Sequence, residues 1–129
     1  MTPDLEVVAF SAKARENLAS AQSELASDRF NACANRCYYA CFQAAIVALI
    51  RASIGSGTSD RSWKHAYVQA QLTGQLINRR KVFSASLSAV LPRLMELRLR
   101  ADYQTQMISQ TQARRAIRDA ETFITTVMP

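Results

Sequence analysis

The sequence is poor in glycine, proline and histidine. Its 129 residues include three glycines, three prolines and one histidine, and they contain no run of 18 apolar residues. So few chain-breaking residues, together with 49% hydrophobic residues at helical spacing, argue against a sheet-rich fold and predict an all-α protein. Because a long apolar run and a basic-then-apolar leader pattern are both missing, we expect no membrane span and a cytoplasmic protein.

Cysteine is also scarce, and its placement excludes two kinds of site. Cys33, Cys37 and Cys41 lie four residues apart on one predicted helix, so their side chains form a row and cannot meet in disulfide geometry. The outer two are about 12 Å apart along the helix axis, and the single histidine, His65, is the only one that could assist a metal. We therefore expect reduced cysteines in the core, no metal site and no cofactor.

The length and the charge distribution narrow the class of protein. A chain of 129 residues predicts one domain over residues 1–129. The net charge is +6, and residues 29–81 hold eight basic residues and a single acidic one, Asp60. Such a local surplus suits a phosphate-bearing or acidic partner, although an ordinary arginine-rich helix surface gives the same count. Gly55-Ser56-Gly57 is not a phosphate-binding loop, because it follows a helix and lacks the Lys-Ser/Thr pair.

Helical periodicity predicts five elements. They cover residues 2–27, 28–53, 62–77, 84–100 and 109–127. Thr2 and the pair Ser27-Asp28 are the expected caps of the first two helices, and a capping box at Ser109 starts the last. Pro92 either kinks or splits the fourth helix, and residues 101–108 are expected to form a loop. The pattern predicts an up-and-down bundle of four long helices with a short extra segment.

The predicted helix over residues 28–53 organises the rest, because it is apolar on nearly every face. One face is a seam of small residues, including the three cysteines, that lets another helix approach closely. The polar residues Arg29, Arg36 and Gln43 recur every seven residues and fall on one narrow stripe. Such a stripe lines either a cleft or a subunit interface. A lone chain would either leave Arg36 desolvated without a partner or leave the apolar surface beside it unused, which predicts a dimer through this helix.

Three segments resemble one known family. Asn35–Ala44, with the sequence NRCYYACFQA, resembles the N-R-x-Y-Y-A-x-F-H-A signature of small prokaryotic HEPN-domain proteins. Trp63–Val68 resembles that family's His-centred segment, and Arg98–Tyr103 resembles its R-x-R-A-D-Y segment. The resemblance implies a HEPN-like bundle, a homodimer with the two central helices facing each other, and RNA or a nucleotide as ligand. It also implies a toxin–antitoxin or defence system, in which a small nucleotidyltransferase is often the partner.

The sequence departs from the family at one position of the candidate site. Catalytic HEPN ribonucleases pair an arginine with a histidine about four to six residues later, and Gln43 occupies the corresponding position here. Arg36 can supply the cation that metal-independent RNA cleavage needs at phosphorus, whereas Gln43 can orient a ligand but cannot transfer a proton. If cleavage persists, His65 or Tyr39 must act in its place. The predicted catalytic set is Arg36, Tyr39, Gln43 and His65.

Two functions remain open from the sequence. The first is a HEPN-type protein that binds RNA or a nucleotide and either does or does not cleave it. Its predicted nucleic-acid contacts are Arg29, Arg36, Arg79, Arg80 and Lys81. The alternative is a non-catalytic helical interaction module whose basic middle binds an acidic protein partner or a nucleotidyltransferase.

Overall fold

The structure, a computed structural model, describes residues 3–129 and contains five α-helices and two short helical segments of other types. The α-helices are α1 (Pro3–Ala26), α2 (Phe30–Arg51), α3 (His65–Gln71), α4 (Val90–Tyr103) and α5 (Gln110–Val127). A π-helical segment (Leu72–Arg79) follows α3 directly, and a 3₁₀ helix (Ala85–Ala89) precedes α4. The predicted all-α bundle of four long helices, α1, α2, α4 and α5, with a short extra segment is confirmed.

α2 lies at the centre and packs against α1, α4 and α5. Thirteen of its 22 residues are buried, and they share one hydrophobic core with Leu94 of α4 and Phe123 of α5. A helix that is apolar on nearly every face is stable where other helices cover it on all sides. Its apolar surface is therefore used within a single chain.

Among the residues that the structure describes, α2 is the one helix long and apolar enough to cross a membrane. It has 22 residues and a mean hydropathy of 1.2. However, 72% of that stretch is buried inside the bundle, and the core helix of a globular domain has the same length and composition. These properties are weak evidence for a membrane span.

The cysteine seam of α2 faces α5. Sγ of Cys33 lies 3.9 Å from the carbonyl oxygen of Ala113, and Sγ of Cys41 lies 4.0 Å from that of Ala120. Because both alanines are on the buried face of α5, small side chains on the two helices let the backbones approach closely. Burial raises the pKa of Cys41, which keeps it a thiol. All three cysteines are free and buried, as predicted.

The turn between α1 and α2 differs from the prediction that Ser27-Asp28 caps the second helix. Asp28 has a left-handed φ of 58°, and the backbone N–H of Arg29 donates to the carbonyl of Glu24 (2.9 Å). This geometry ends α1 instead of starting α2. The N-cap of α2 is Arg29, whose side chain makes no capping bond. Thr2, the predicted cap of the first helix, lies outside the described residues.

The third helix begins three residues later than predicted. Two side chains bind the backbone of Ser62: Oγ1 of Thr58 donates to its carbonyl (2.9 Å), and Oδ1 of Asp60 accepts from its N–H (3.0 Å). These bonds compete with helix formation, and α3 starts only at His65. The π-helical segment then extends the helical path to Arg79, two residues beyond the predicted end of this helix.

The predicted fourth helix is split into a 3₁₀ helix and α4, two residues before Pro92. α4 starts at Val90, after the 3₁₀ helix, which puts Pro92 in the first turn, where its missing N–H is not needed. Residues 101–103, predicted as loop, form the last turn of α4. An ion pair between Arg98 and Asp102 (3.5 Å, i and i+4) stabilises that turn.

α5 begins with the predicted capping box. Oγ of Ser109 accepts from the backbone N–H of Gln112 (3.1 Å), and the side chain of Gln112 accepts from the N–H of Ser109 (2.9 Å). Two otherwise unpaired backbone donors are thereby satisfied, which fixes the start of the helix that closes the bundle.

Candidate functional site

The polar stripe of α2 faces α1 and meets one asparagine. Oδ1 of Asn17, in the middle of α1, accepts a hydrogen bond from Nη1 of Arg36 (2.9 Å). Nδ2 of Asn17 donates to Oε1 of Gln43 (2.7 Å). One carboxamide therefore joins two residues of α2 that are two helical turns apart, and both lie on the same helix face, as their spacing predicts.

The guanidinium of Arg36 is held by neutral partners. Besides the bond to Asn17, Nε of Arg36 donates to Oδ1 of Asn35 (2.9 Å), and Nη2 donates to the same oxygen. A guanidinium carries five N–H groups, so two remain without a protein partner. Within residues 3–129, Arg36 makes no ion pair. A single chain thus pairs Arg36, so Arg36 does not require a second chain as partner, and the dimer stays a prediction.

A second set of bonds links Asn35 to α4. Nδ2 of Asn35 donates to both carboxylate oxygens of Asp102 (3.3 and 3.0 Å). Asp102 pairs with Arg98, whose Nη1 also donates to the hydroxyl oxygen of Tyr39 (3.1 Å). The polar side chains of three helices therefore form one continuous network. We call this the Arg36 network, which consists of Asn17, Asn35, Arg36, Tyr39, Gln43, Arg98 and Asp102.

The ring of Tyr39 contacts two cations of the Arg36 network. Cζ of Arg36 lies 5.3 Å from the centre of this ring, and Cζ of Arg98 lies 5.5 Å from it. Both distances allow cation–π attraction. Arg98 lies 5.4 Å from the ring of Tyr38 as well, only 12% of its side chain is exposed, and its Nε has no hydrogen-bond partner in the described part of the chain. The two aromatic rings thus stabilise a charge that is nearly removed from water.

His65 joins this cluster through Tyr38. Its Nδ1 lies 2.6 Å from the hydroxyl oxygen of Tyr38, and its ring centre lies 4.5 Å from that of Phe42. The centres of the His65 and Tyr39 rings are 6.1 Å apart. The sequence contains no signal that places His65 near Arg36, yet the ring of Tyr39 contacts both residues.

The environment of His65 keeps its ring uncharged. Burial and the nearby Arg98 guanidinium lower the pKa of His65 below its ordinary value of 6.5, so the ring is neutral at neutral pH. Burial raises the pKa of Tyr38 to about 12, and a hydrogen bond from Gln69 to the Tyr38 oxygen opposes that shift. Tyr38 and His65 are therefore both neutral, and the hydrogen bond between them engages Nδ1 of the imidazole.

We expect stability to depend on pH through His65. Because the pKa of His65 is lower in the folded chain, the unfolded chain binds a proton at this residue more readily. The free energy of unfolding should therefore fall as the pH is lowered from about 7.5 to about 5.5. His65→Gln should remove this contribution, because glutamine keeps a hydrogen-bonding group beside Tyr38 and does not titrate. Urea unfolding of both proteins at several pH values measures the difference, and equal pH dependence would contradict it.

A cleft of about 400 Å³ opens beside Arg36, between α1, α2 and α4. Its two carboxylates are already paired, Glu24 with Arg29 (2.5 Å) and Asp102 with Arg98 (3.5 Å). Arg36 is therefore a cation in the lining of the cleft, and no carboxylate within residues 3–129 neutralises it. In residues 3–129 no group of three or more His, Cys, Asp or Glu side chains could hold a metal ion. The chemistry that this cleft offers is the binding of an anion by an oriented guanidinium.

The other predicted nucleic-acid contacts do not line this cleft. Arg29 precedes α2 and is engaged by Glu24. Nη1 of Arg80 donates to the carbonyl of Ala52 (3.0 Å), at the far end of α2, about 24 Å from Arg36 along the helix axis. Arg79 and Lys81 adjoin Arg80 and belong to that end. The predicted nucleic-acid contacts therefore lie in two separate basic regions, and their role in binding stays a prediction.

Asn17 is the central residue of the Arg36 network that sequence reasoning missed. Asparagine is disfavoured in the middle of a helix because its side chain competes for backbone hydrogen bonds. Its presence at the centre of α1 was the available signal. Arg98 and Asp102 form the ion pair expected from their spacing. Their contacts with Tyr39 and Asn35 depend on tertiary packing, which residue spacing along one helix does not predict.

The fold and the Arg36 network together define a class of protein. It is an all-α bundle whose central helix presents a half-buried arginine, held by amides, to a cleft between three helices. The family model of the HEPN domain matches residues 7–128, nearly the whole chain. The protein therefore belongs to the HEPN family. A search of curated proteins finds no match to the chain.

Proposed function

We propose that this protein binds RNA or a nucleotide through a phosphate at the Arg36 cleft and does not cleave it. Its biological setting in this proposal is a toxin–antitoxin or defence system, as family membership suggests. The binding role and the lack of cleavage follow from different parts of the site.

The observation that carries the binding role is the state of the Arg36 guanidinium. Asn17 and Asn35 fix its plane through neutral oxygens, and two N–H groups remain available. Arginine in such a fixed plane binds phosphate oxygens in a bidentate manner, and charge-assisted bonds of this type are about twice as strong as neutral ones. Because no carboxylate neutralises Arg36, an incoming phosphate displaces no ion pair.

The lack of cleavage follows from the absence of a proton acceptor at the right place. Gln43 has no titratable proton near neutral pH, and its oxygen already accepts from Asn17. Nδ1 of His65 is engaged by the hydroxyl of Tyr38, and the hydroxyl oxygen of Tyr39 accepts from Arg98. Cleavage at the 2′-hydroxyl needs a base. The site supports positioning of a phosphate without that step.

The proposal includes a homodimer in the cytoplasm and a small nucleotidyltransferase as protein partner. Since one chain covers the apolar faces of α2, support for the dimer comes from another surface. Leu99 and Tyr103, one turn apart on α4, are 41% and 75% exposed, and Met107 is 70% exposed. Met107 accepts from Asn31, a residue that lines the Arg36 cleft (3.3 Å). The two exposed apolar side chains one turn apart on α4 support an interaction surface at this helix.

Titration of the unaltered protein with a labelled single-stranded RNA in a chelator tests the proposal. We expect binding that weakens steeply from about 50 to about 200 mM salt, because each phosphate contact releases counterions. The RNA should stay intact. Binding that is indifferent to salt, or no binding of RNA and of nucleotides at all, would contradict the proposal. Binding of polyglutamate but not of RNA would favour the acidic-partner alternative instead.

A further inference from the structure

A second cationic groove lies between α4 and α5, on the side of α4 that faces away from the Arg36 cleft. It has a volume of about 400 Å³, and four arginines line it: Arg93, Arg100, Arg115 and Arg118. Arg98 and Asp102 of α4 contact α2, whereas Arg93 contacts α5 through Asp119 (3.1 Å). The two sites are therefore separated by the body of α4.

Most of the positive charge in this groove is not neutralised. Its two carboxylates are Glu96 and Asp119, and Asp119 is engaged by Arg93. Within the described residues, Arg100, Arg115 and Arg118 make no ion pair. Arg115 and Arg118 are exposed and three residues apart on α5. Like charges at this spacing repel each other on a helix, and a bound anion relieves that repulsion.

The chemistry of the groove favours a nucleic-acid backbone over a protein. Leu94 and Ala116, at its floor, are each only 2% exposed, and the lining of the groove holds four arginines against two carboxylates. Protein interfaces have an apolar centre, whereas nucleic-acid interfaces are more polar and strongly positive. The cations are all arginines, whose planar groups match phosphate geometry.

We propose that the α4–α5 groove is a second binding site, which holds the phosphodiester backbone of single-stranded RNA. The inference rests on the proposed function, because it assumes that RNA is the ligand. Its contacts are independent of base identity, since arginine donors to phosphate carry no sequence information. The groove therefore raises the affinity for RNA, and any sequence selectivity comes from the Arg36 cleft.

The double variant Arg115→Ala with Arg118→Ala tests this site. Both residues are exposed and alanine favours a helix, so α5 should keep its fold. We expect affinity for single-stranded RNA to fall about tenfold and the slope of log affinity against log salt to become shallower by about 1.4, for two lost phosphate contacts. The control is Arg15→Ala with Arg51→Ala, which removes the same charge from exposed positions on α1 and α2.

The outcomes separate the groove from the proposed function. If the unaltered protein binds no RNA, the proposed function fails, and the groove site fails with it. If it binds RNA and the two double variants have equal affinity and equal salt slope, the groove site alone is refuted. If the groove variant loses affinity for polyglutamate but not for RNA, the ligand of the groove is an acidic protein. That result would overturn the inference.

Discussion

Replacing Gln43 with histidine is expected to produce a protein that cleaves RNA without a metal. The variant places an imidazole where Gln43 now accepts from Asn17, one carboxamide away from Arg36. The imidazole can take the 2′-hydroxyl proton while Arg36 stabilises charge at phosphorus. General acid–base catalysis by a positioned side chain contributes about 10²- to 10⁴-fold, so the cleavage rate should rise at least about 100-fold over that of the unaltered protein.

The pH profile and two further variants identify the source of any cleavage. The rate should depend on a group that titrates near about pH 6 to 7, as a histidine does. Gln43→His combined with Arg36→Ala should be inactive, and Gln106→His, at an exposed loop position, controls for contaminating ribonuclease. Robust cleavage by the unaltered protein in a chelator, lost in Arg36→Ala but not in His65→Ala, would show that Gln43 does not disable the site. Loss in both variants would identify His65 as the base.

Arg36→Ala is expected to weaken RNA binding more than any other single removal of charge. A hydrogen bond to a charged group contributes about 1.5 to 3 kcal/mol, which corresponds to roughly 10- to 150-fold in affinity. Arg36→Lys should recover only part of this loss, because lysine keeps the charge but lacks the planar fork that Asn17 and Asn35 orient. Fluorescence anisotropy with a labelled RNA at fixed salt measures all three proteins.

Arg51→Ala is the matched control for this loss. Arg51 is exposed at the far end of the same helix, so its removal changes the net charge equally without touching the cleft. Urea unfolding shows whether each variant is folded at the temperature of the titration. Equal weakening by Arg36→Ala and Arg51→Ala would mean that general charge, and not an oriented guanidinium, holds the RNA.

The helices were predictable because the apolar period of each segment matches its burial. The errors lie where side chains compete with the backbone or where left-handed geometry ends a helix. Thr58 and Asp60 bind the backbone of Ser62 and delay α3, and Asp28 ends α1 instead of capping α2. Hydrophobic periodicity does not register either effect. An apolar period of 3.6 residues likewise does not predict the π-helical segment after α3.

The candidate site was predictable only along one helix. A seven-residue spacing placed Arg36 and Gln43 on one face, and both bind Asn17. The partner on α1 is 19 residues from Arg36 in sequence, and the contact depends on how α1 packs against α2. Arg29, at the N-cap of α2, pairs with Glu24 and does not bind Asn17. Spacing within a helix therefore predicts which residues share a face, and packing decides what that face meets.

The most direct test of the Arg36 cleft is a crystal structure of the protein with a short single-stranded RNA. We expect phosphate oxygens at about 2.7 to 2.9 Å from Nη1 and Nη2 of Arg36, with the bonds from Arg36 to Asn17 and Asn35 retained. Gln43 should remain bonded to Asn17. RNA bound elsewhere on the protein, with no phosphate at Arg36, would contradict the assignment of this cleft as the phosphate site.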